Sequence, residues 1–200
     1  MQVLALDSAT NVASCAVVTP DKILVEFNLN TRKTHSERLM PMVEQALEYA
    51  DLSLNEIDGF SVSVGPGSFT GLRIGLATIK ALAFFTEKPL VGISTLDGLA
   101  ANLERVDGLI CPVVQACKDE LYFALYLNTP NGQERISDYL TSSPAKLITF
   151  LAQFQADKLT CVGDGTKMLP ENCNDVLGPG CSVAGELYRL PRAATIGFLG

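Results

Sequence analysis

Gly65-Pro66-Gly67-Ser68-Phe69-Thr70-Gly71 runs straight into Leu72-Arg73-Ile74-Gly75-Leu76-Ala77. The stretch follows the alternating run Phe60-Ser61-Val62-Ser63-Val64 and opens an apolar segment that reaches Phe85. Strand, glycine-rich turn and helix start follow one another, an order that points to an α/β fold and can present backbone N–H groups to an anion. The spacing Gly65-x-Gly67-x-x-x-Gly71 is one residue longer than the dinucleotide fingerprint, and no Gly-Lys-Ser/Thr follows as in a P-loop. On spacing alone, a rigid packing turn is favoured over an anion site.

Upstream, Gln2–Asp7, Ser14–Val18 and Ile23–Asn30 alternate like three antiparallel strands, with turns at Ala9-Thr10-Asn11 and Thr19-Pro20-Asp21-Lys22. Leu39, Val43, Ala46, Leu47 and Ala50 fall at helical spacing, and Thr34-x-x-Glu37 fits a capping box that starts this helix near residue 35. Pro41 lies inside it and is expected to bend the helix or delay its start. A strand at Gly59–Val64, a helix at Thr70–Phe85, a strand at Leu90–Ile93 and a helix from Leu96 to Leu103 complete a unit. The second half restarts the same programme. Leu109–Gln115, Leu121–Asn128 and Gln133–Leu140 read as strands, Pro144–Gln155 as a helix and Lys158–Gly163 as a strand. Two ribonuclease-H-like βββαβα units are therefore expected, spanning 1–104 and 105–200. The last residues, Ala193 to Gly200, read as a helix start, so the natural chain is expected to continue.

With 48% hydrophobic residues there is material for a sizeable core, and the 18% charged content argues against disorder. A formal charge of −7, without any run of Lys or Arg, argues against direct grip on nucleic acid. The N-terminus lacks the basic region of a signal peptide. No apolar run is expected to span a bilayer, which takes about 20 residues. Cys15, Cys111, Cys117, Cys161, Cys173 and Cys181 form no Cys-x-x-Cys pair and read as free thiols.

The chemistry on offer is sparse. Asp7 ends the first strand, where ligands gather in open α/β sheets, but it also fits a turn-capping role before Ser8 and Thr10. His35 is the single histidine, so a His-Glu-x-x-His zinc site is excluded and no cysteine cluster replaces it. Arg73 stands in the first turn of its helix, against the macrodipole, and invites a carboxylate, an anion or a partner's acid. The Thr70–Phe85 helix is apolar nearly all round and is expected to be buried on more than one side. On pattern alone that burial is intramolecular core. Gly163-Asp164-Gly165 reads as either a nucleotide-type turn or a tight connection.

Three stretches in order, Met1-Gln2-Val3-Leu4-Ala5-Leu6-Asp7-Ser8-Ala9-Thr10, Thr34-His35-Ser36-Glu37-Arg38-Leu39-Met40-Pro41-Met42-Val43 and the glycine-rich turn, resemble the TsaB (YeaZ) family. These are bacterial paralogues of TsaD in tRNA threonylcarbamoyladenosine synthesis. The similarity is close over roughly the first half and thin afterwards. It implies the actin-like ATPase (ASKHA) fold. It also implies a non-catalytic cytoplasmic subunit that pairs with a TsaD homologue, or with itself, through two helices. Leu39, Met42, Val43 and Ala46 of the first helix and Leu72, Leu76 and Ile79 of the second would form that contact. A charge at Leu76 or Ile79 should then abolish pairing if they face outward, and unfold the protein if they are core. TsaE, a P-loop ATPase, would supply ATP hydrolysis to the complex, with tRNA met only indirectly, no cofactor in this chain and no membrane. In actin-like ATPases an acid at the place of Asp7 helps position a metal–phosphate complex. Asp7, Gly65, Gly67, Ser68, Thr70, Gly71 and Arg73 are the candidate anion or nucleotide residues on that basis. The His-x-x-x-His metal motif of TsaD-type proteins is missing from Ile93–Ala100. Gln115-Ala116-Cys117-Lys118 departs from the family's acid and paired bases, weakening a second phosphate loop. The rivals are an autonomous ATPase or sugar kinase using Asp7 and the Gly65–Gly71 turn, and a metallopeptidase, which the single histidine disfavours.

Overall fold

The computed structural model describes every residue except 32, 33, 171 and 172, and every other side chain except those of 117, 173 and 174. The chain divides into two compact units, 1–98 with 191–200, and 99–190. The division falls at 98/99 rather than the expected 104/105, and the C-terminal stretch Pro191–Gly200 joins the first unit.

In the first unit β1 (Val3–Asp7), β2 (Ala13–Thr19) and β3 (Lys22–Leu29) form an antiparallel meander. Then come α1 (His35–Tyr49), β4 (Gly59–Ser63), α2 (Phe69–Thr86) and β5 (Leu90–Ile93), and α3 (Thr95–Ala101) runs from the first unit into the second. The sheet order is β3-β2-β1-β4-β5, with β4 parallel to β1 and β5 parallel to β4. That is the ribonuclease-H-like arrangement. β1 is buried on both faces, which is why it reads as a nearly continuous apolar run. Leu4 and Leu6 join Leu39, Met42, Val43, Phe60 and Ile79 in one core, while Val3 and Ala5 pack with Ala193, Ala194 and Ile196 on the other side.

α1 starts at His35 despite Pro41 inside it. The Thr34 amide and hydroxyl donate to Glu37 Oε2 at 2.9 and 2.6 Å, one half of a capping box. Both long helices end in a left-handed residue, Asp51 at φ 53° and Glu87 at φ 55°. Leu52 and Lys88 amides then reach back to the Leu47 and Ala83 carbonyls at 3.0 and 3.1 Å, closing Schellman turns.

The second unit holds β6 (Gly108–Cys117), β7 (Glu120–Phe123), β8 (Tyr126–Thr129), β9 (Gly132–Arg135), β10 (Leu140–Ser142), α4 (Pro144–Ala152), β11 (Leu159–Val162), α5 (Cys173–Leu177), β12 (Cys181–Val183) and α6 (Glu186–Arg189). β11 runs parallel to β6 and β12 parallel to β11, repeating the first unit's plan. Two expected strands are each broken in half. β7 and β8 pair with opposite ends of β6, β10 pairs with β7, and β9 pairs with β8. Ala124 and Leu125 are both fully buried at the break, so strand alternation is suspended there. Ser137 Oγ accepts from the Leu125 amide at 2.8 Å in place of a ladder carbonyl.

α7 (Ala193–Leu199) covers the second face of the first unit's sheet. Small residues permit the approach: a Cβ on Gly197 would sit 2.7 Å from Val18 Cγ2. Cys15, Cys111, Cys161 and Cys181 are buried, while the side chains of Cys117 and Cys173 lie outside the described residues.

Candidate functional site

The glycine-rich turn and the start of α2 close on the β1–β2 turn. A Cβ on Gly67 would lie 2.3 Å from the Ala9 carbonyl oxygen, one on Gly71 2.2 Å from that of Ser8, and one on Gly75 2.1 Å from Ser8 Oγ. The Ser68 amide donates to the Ala9 carbonyl at 2.6 Å, and the Ser8 hydroxyl to the Gly71 carbonyl at 2.9 Å. The spacing that failed as a dinucleotide fingerprint is thus an i, i+4 notch that seats the β1–β2 turn. Packing is what Gly67 and Gly71 do here, and Gly65 accepts from the Thr95 amide at 2.8 Å.

Asp7 is fully buried beside this notch. Its Oδ1 accepts from the Ala9 amide at 3.0 Å, while Oδ2 has no hydrogen-bond partner among the described residues. Burial pushes its carboxyl up to about 6, against the Ala9 amide and the nearby Ser63 hydroxyl, which lies close without a bond of ordinary geometry. Its place at the end of β1 is the expected one, but its side chain is closed to solvent.

Beyond the notch opens a polar cleft of about 590 Å³, lined by Asn11, Asn30, Thr34, Arg38, Ser68 and Thr70 among others. Of the anion candidates only Ser68, Thr70 and Gly71 belong to it. Arg73 is exposed and lies over the Phe69 ring, 5.4 Å from its centroid. His35 Nε2 bonds the Thr10 carbonyl at 2.8 Å, and burial holds the imidazole below its ordinary range, so it is neutral at pH 7. Arg38 is the residue sequence reading passed over. Its guanidinium donates to the carbonyls of Leu29, Thr34 and Asn11 at 2.8, 3.3 and 3.3 Å. The signal was present: a cation among Leu39, Met42 and Val43 on the buried face of a helix.

The helix pair requires a correction. Leu39, Met42, Val43, Ala46 and Ile79 are at most 2% exposed and belong to the first unit's core, so they are not surface residues. Leu72 and Leu76 are half-buried. α2 also departs from the expected all-round burial. Gly71, Gly75, Ile79 and Ala83 form its one buried stripe, and on the far side Phe69, Arg73, Ala77, Ala81 and Phe85 recur every four residues, all exposed. Phe84 and Phe85 are 88% and 76% exposed. By length and composition alone α2, with a mean hydropathy of 1.3 over 18 residues, is enough to cross a bilayer, contrary to expectation. Its buried stripe packs instead on α1 and the sheet core.

In the second unit Gly163-Asp164-Gly165 repeats the device. A Cβ on Gly163 would lie 2.3 Å from the Val113 carbonyl oxygen, and Asp164 Oδ1 accepts from the Gln115 amide at 3.2 Å. Burial raises the Asp164 carboxyl. The turn is a tight connection. Among the described residues no three His, Cys, Asp or Glu side chains converge as a metal site would require.

A family model described as TsaD, tRNA N6-adenosine threonylcarbamoyltransferase, matches residues 23–193. The chain is 30% identical over 200 residues to the tRNA threonylcarbamoyladenosine biosynthesis protein TsaB of Bacillus subtilis, covering 100% of this chain and 87% of that one. It is 36% identical over 134 residues to Escherichia coli TsaB, covering 66% and 58%. Among solved structures, YeaZ from Pseudomonas aeruginosa matches with a TM-score of 0.79 at 23% identity, covering 100% of this chain and 90% of that one, a likeness of fold. The chain belongs to the TsaD family as that model draws it, and within it to the TsaB (YeaZ) proteins of tRNA threonylcarbamoyladenosine biosynthesis, on an actin-like ATPase fold.

Proposed function

We propose that the chain is a non-catalytic subunit that binds a TsaD-type transferase through α2 and the outer side of α1, and stabilises it for threonylcarbamoyl transfer to tRNA. The observation that carries this reading is the apolar face of α2 left uncovered by the chain itself, with Phe69, Phe84 and Phe85 each more than 70% exposed. Exposed aromatic residues rimmed by charge mark interaction surfaces. Arg73 at one end of the stripe would meet an acid of the partner. Met40 on α1 is exposed as well. The reading places the protein in the cytoplasm, with ATP hydrolysis supplied by TsaE and tRNA met only through the complex. The same face also serves a homodimer when the partner is absent. Nothing favours the autonomous ATPase, since Asp7 is sealed and the glycines of the turn are taken up by packing.

The test is mixing with the TsaD homologue of the same organism and measuring mass by light scattering after gel filtration. A one-to-one complex is expected, weakened at least about tenfold by Phe85→Glu with an unchanged melting temperature. Failure of the folded wild-type protein to pair would overturn the reading.

A further inference from the structure

We propose that the cleft between the starts of α1 and α2 binds a small phosphate-bearing anion, with Arg38 as its cationic floor. Arg38 is 5% exposed, and among the described residues no ion pair includes it. Its three carbonyl partners fix the side chain but leave its charge uncompensated, and burying an unpaired charge is costly. Three of a guanidinium's five donors are occupied by those carbonyls, and the remaining two suit an oxyanion.

The surroundings agree in sign. The chain carries 22 acidic residues against 15 basic ones, yet among the described residues no carboxylate lines this cleft. Asn11, Asn30, Ser68 and Thr70 bring neutral amides and hydroxyls to it. α2 has no acid in its first turn, so its first amides and macrodipole favour negative charge at this end. α1 differs, because the Glu37 carboxylate already accepts from Thr34. His35 faces the cleft neutral and adds no charge. A net charge of −7 opposes a polyanion, so the ligand is a free phosphate or a small phosphate monoester rather than RNA. At about 590 Å³ the cleft has room for a sugar beside the phosphate.

Calorimetric titration of the full chain with inorganic phosphate and with ribose 5-phosphate, against chloride at equal ionic strength, tests the site. Saturable phosphate binding is expected. Thr70→Glu and Asn30→Asp, both at exposed positions, should each weaken it at least about tenfold. Lys80→Glu, which adds negative charge on the exposed side of α2 away from the cleft, should leave it unchanged. Tighter binding of ribose 5-phosphate than of phosphate identifies a sugar phosphate as the ligand, and equal binding identifies phosphate itself. Absence of saturable binding, or equal losses in Lys80→Glu and Thr70→Glu, overturns the proposal.

Discussion

At the scale of single residues, Asp7 shows what burial does to a carboxyl. Its folded pKa is about 6 against an ordinary 3.8, so ionisation is disfavoured in the native state. Below about pH 4 the group is protonated in both states and costs nothing; above about pH 6 it is ionised in both and the native state carries the whole penalty. Stability from this group therefore falls as pH rises through that window. Asp7→Asn keeps an oxygen for the Ala9 amide and should stabilise the protein at pH 7 by on the order of 3 kcal/mol, with no gain at about pH 3.5. Urea unfolding at the two pH values measures this. Gly71 is constrained differently, by a backbone carbonyl that cannot rotate away. Gly71→Ala should cost about 2–3 kcal/mol, read as a lower urea midpoint.

Among the elements, α2 is two helices in one sequence. The Gly71-Gly75-Ile79-Ala83 stripe belongs to the core, and a charge there, as in Ile79→Asp, should unfold the first unit rather than report on pairing. Phe85→Glu lies on the other stripe and should spare the fold. The pair of variants separates the two roles. α7 is held differently, by polar anchors at its start. Glu26 Oε1 accepts from the Ala194 amide at 3.1 Å, Oε2 from Arg192 Nε at 3.1 Å, and Ser14 Oγ accepts from the Ala193 amide at 2.7 Å. A carboxylate at a helix N-terminus gains from the macrodipole as well. Glu26→Gln should cost roughly 1–2 kcal/mol and speed hydrogen exchange of the α7 amides before those of β1.

For the whole molecule, each unit is built on the same central strand order, and each places a Gly-x-Gly turn after the parallel neighbour of its first strand, β4 in one and β11 in the other, against the end or side of that first strand. In one unit the turn leads into an 18-residue helix with an uncovered face; in the other it leads into a single 3₁₀ turn, Asp164–Met168. The two units therefore share a packing device and differ in what they display. The surface the chain offers lies on the first unit's helix, which is why pairing with a transferase is tested there.

The fold was legible because alternation, capping and turn chemistry are local. β1 through β5, the start of α1 at His35 and the restart near residue 108 could be read from periodicity, and the family from three short ordered motifs. The broken strands of the second unit were not legible, since Ser137 replaces a ladder partner only once two segments meet in space. Nor was the division of α2 into core and surface. Its sequence is apolar on nearly every side, so composition could say only that the helix needs covering, and the position of the sheet decides which side receives it. Arg38 follows the same rule. The sequence set a cation among core residues, but the carbonyls of Leu29, Thr34 and Asn11, which come from separate segments, exist as a set only in the folded chain.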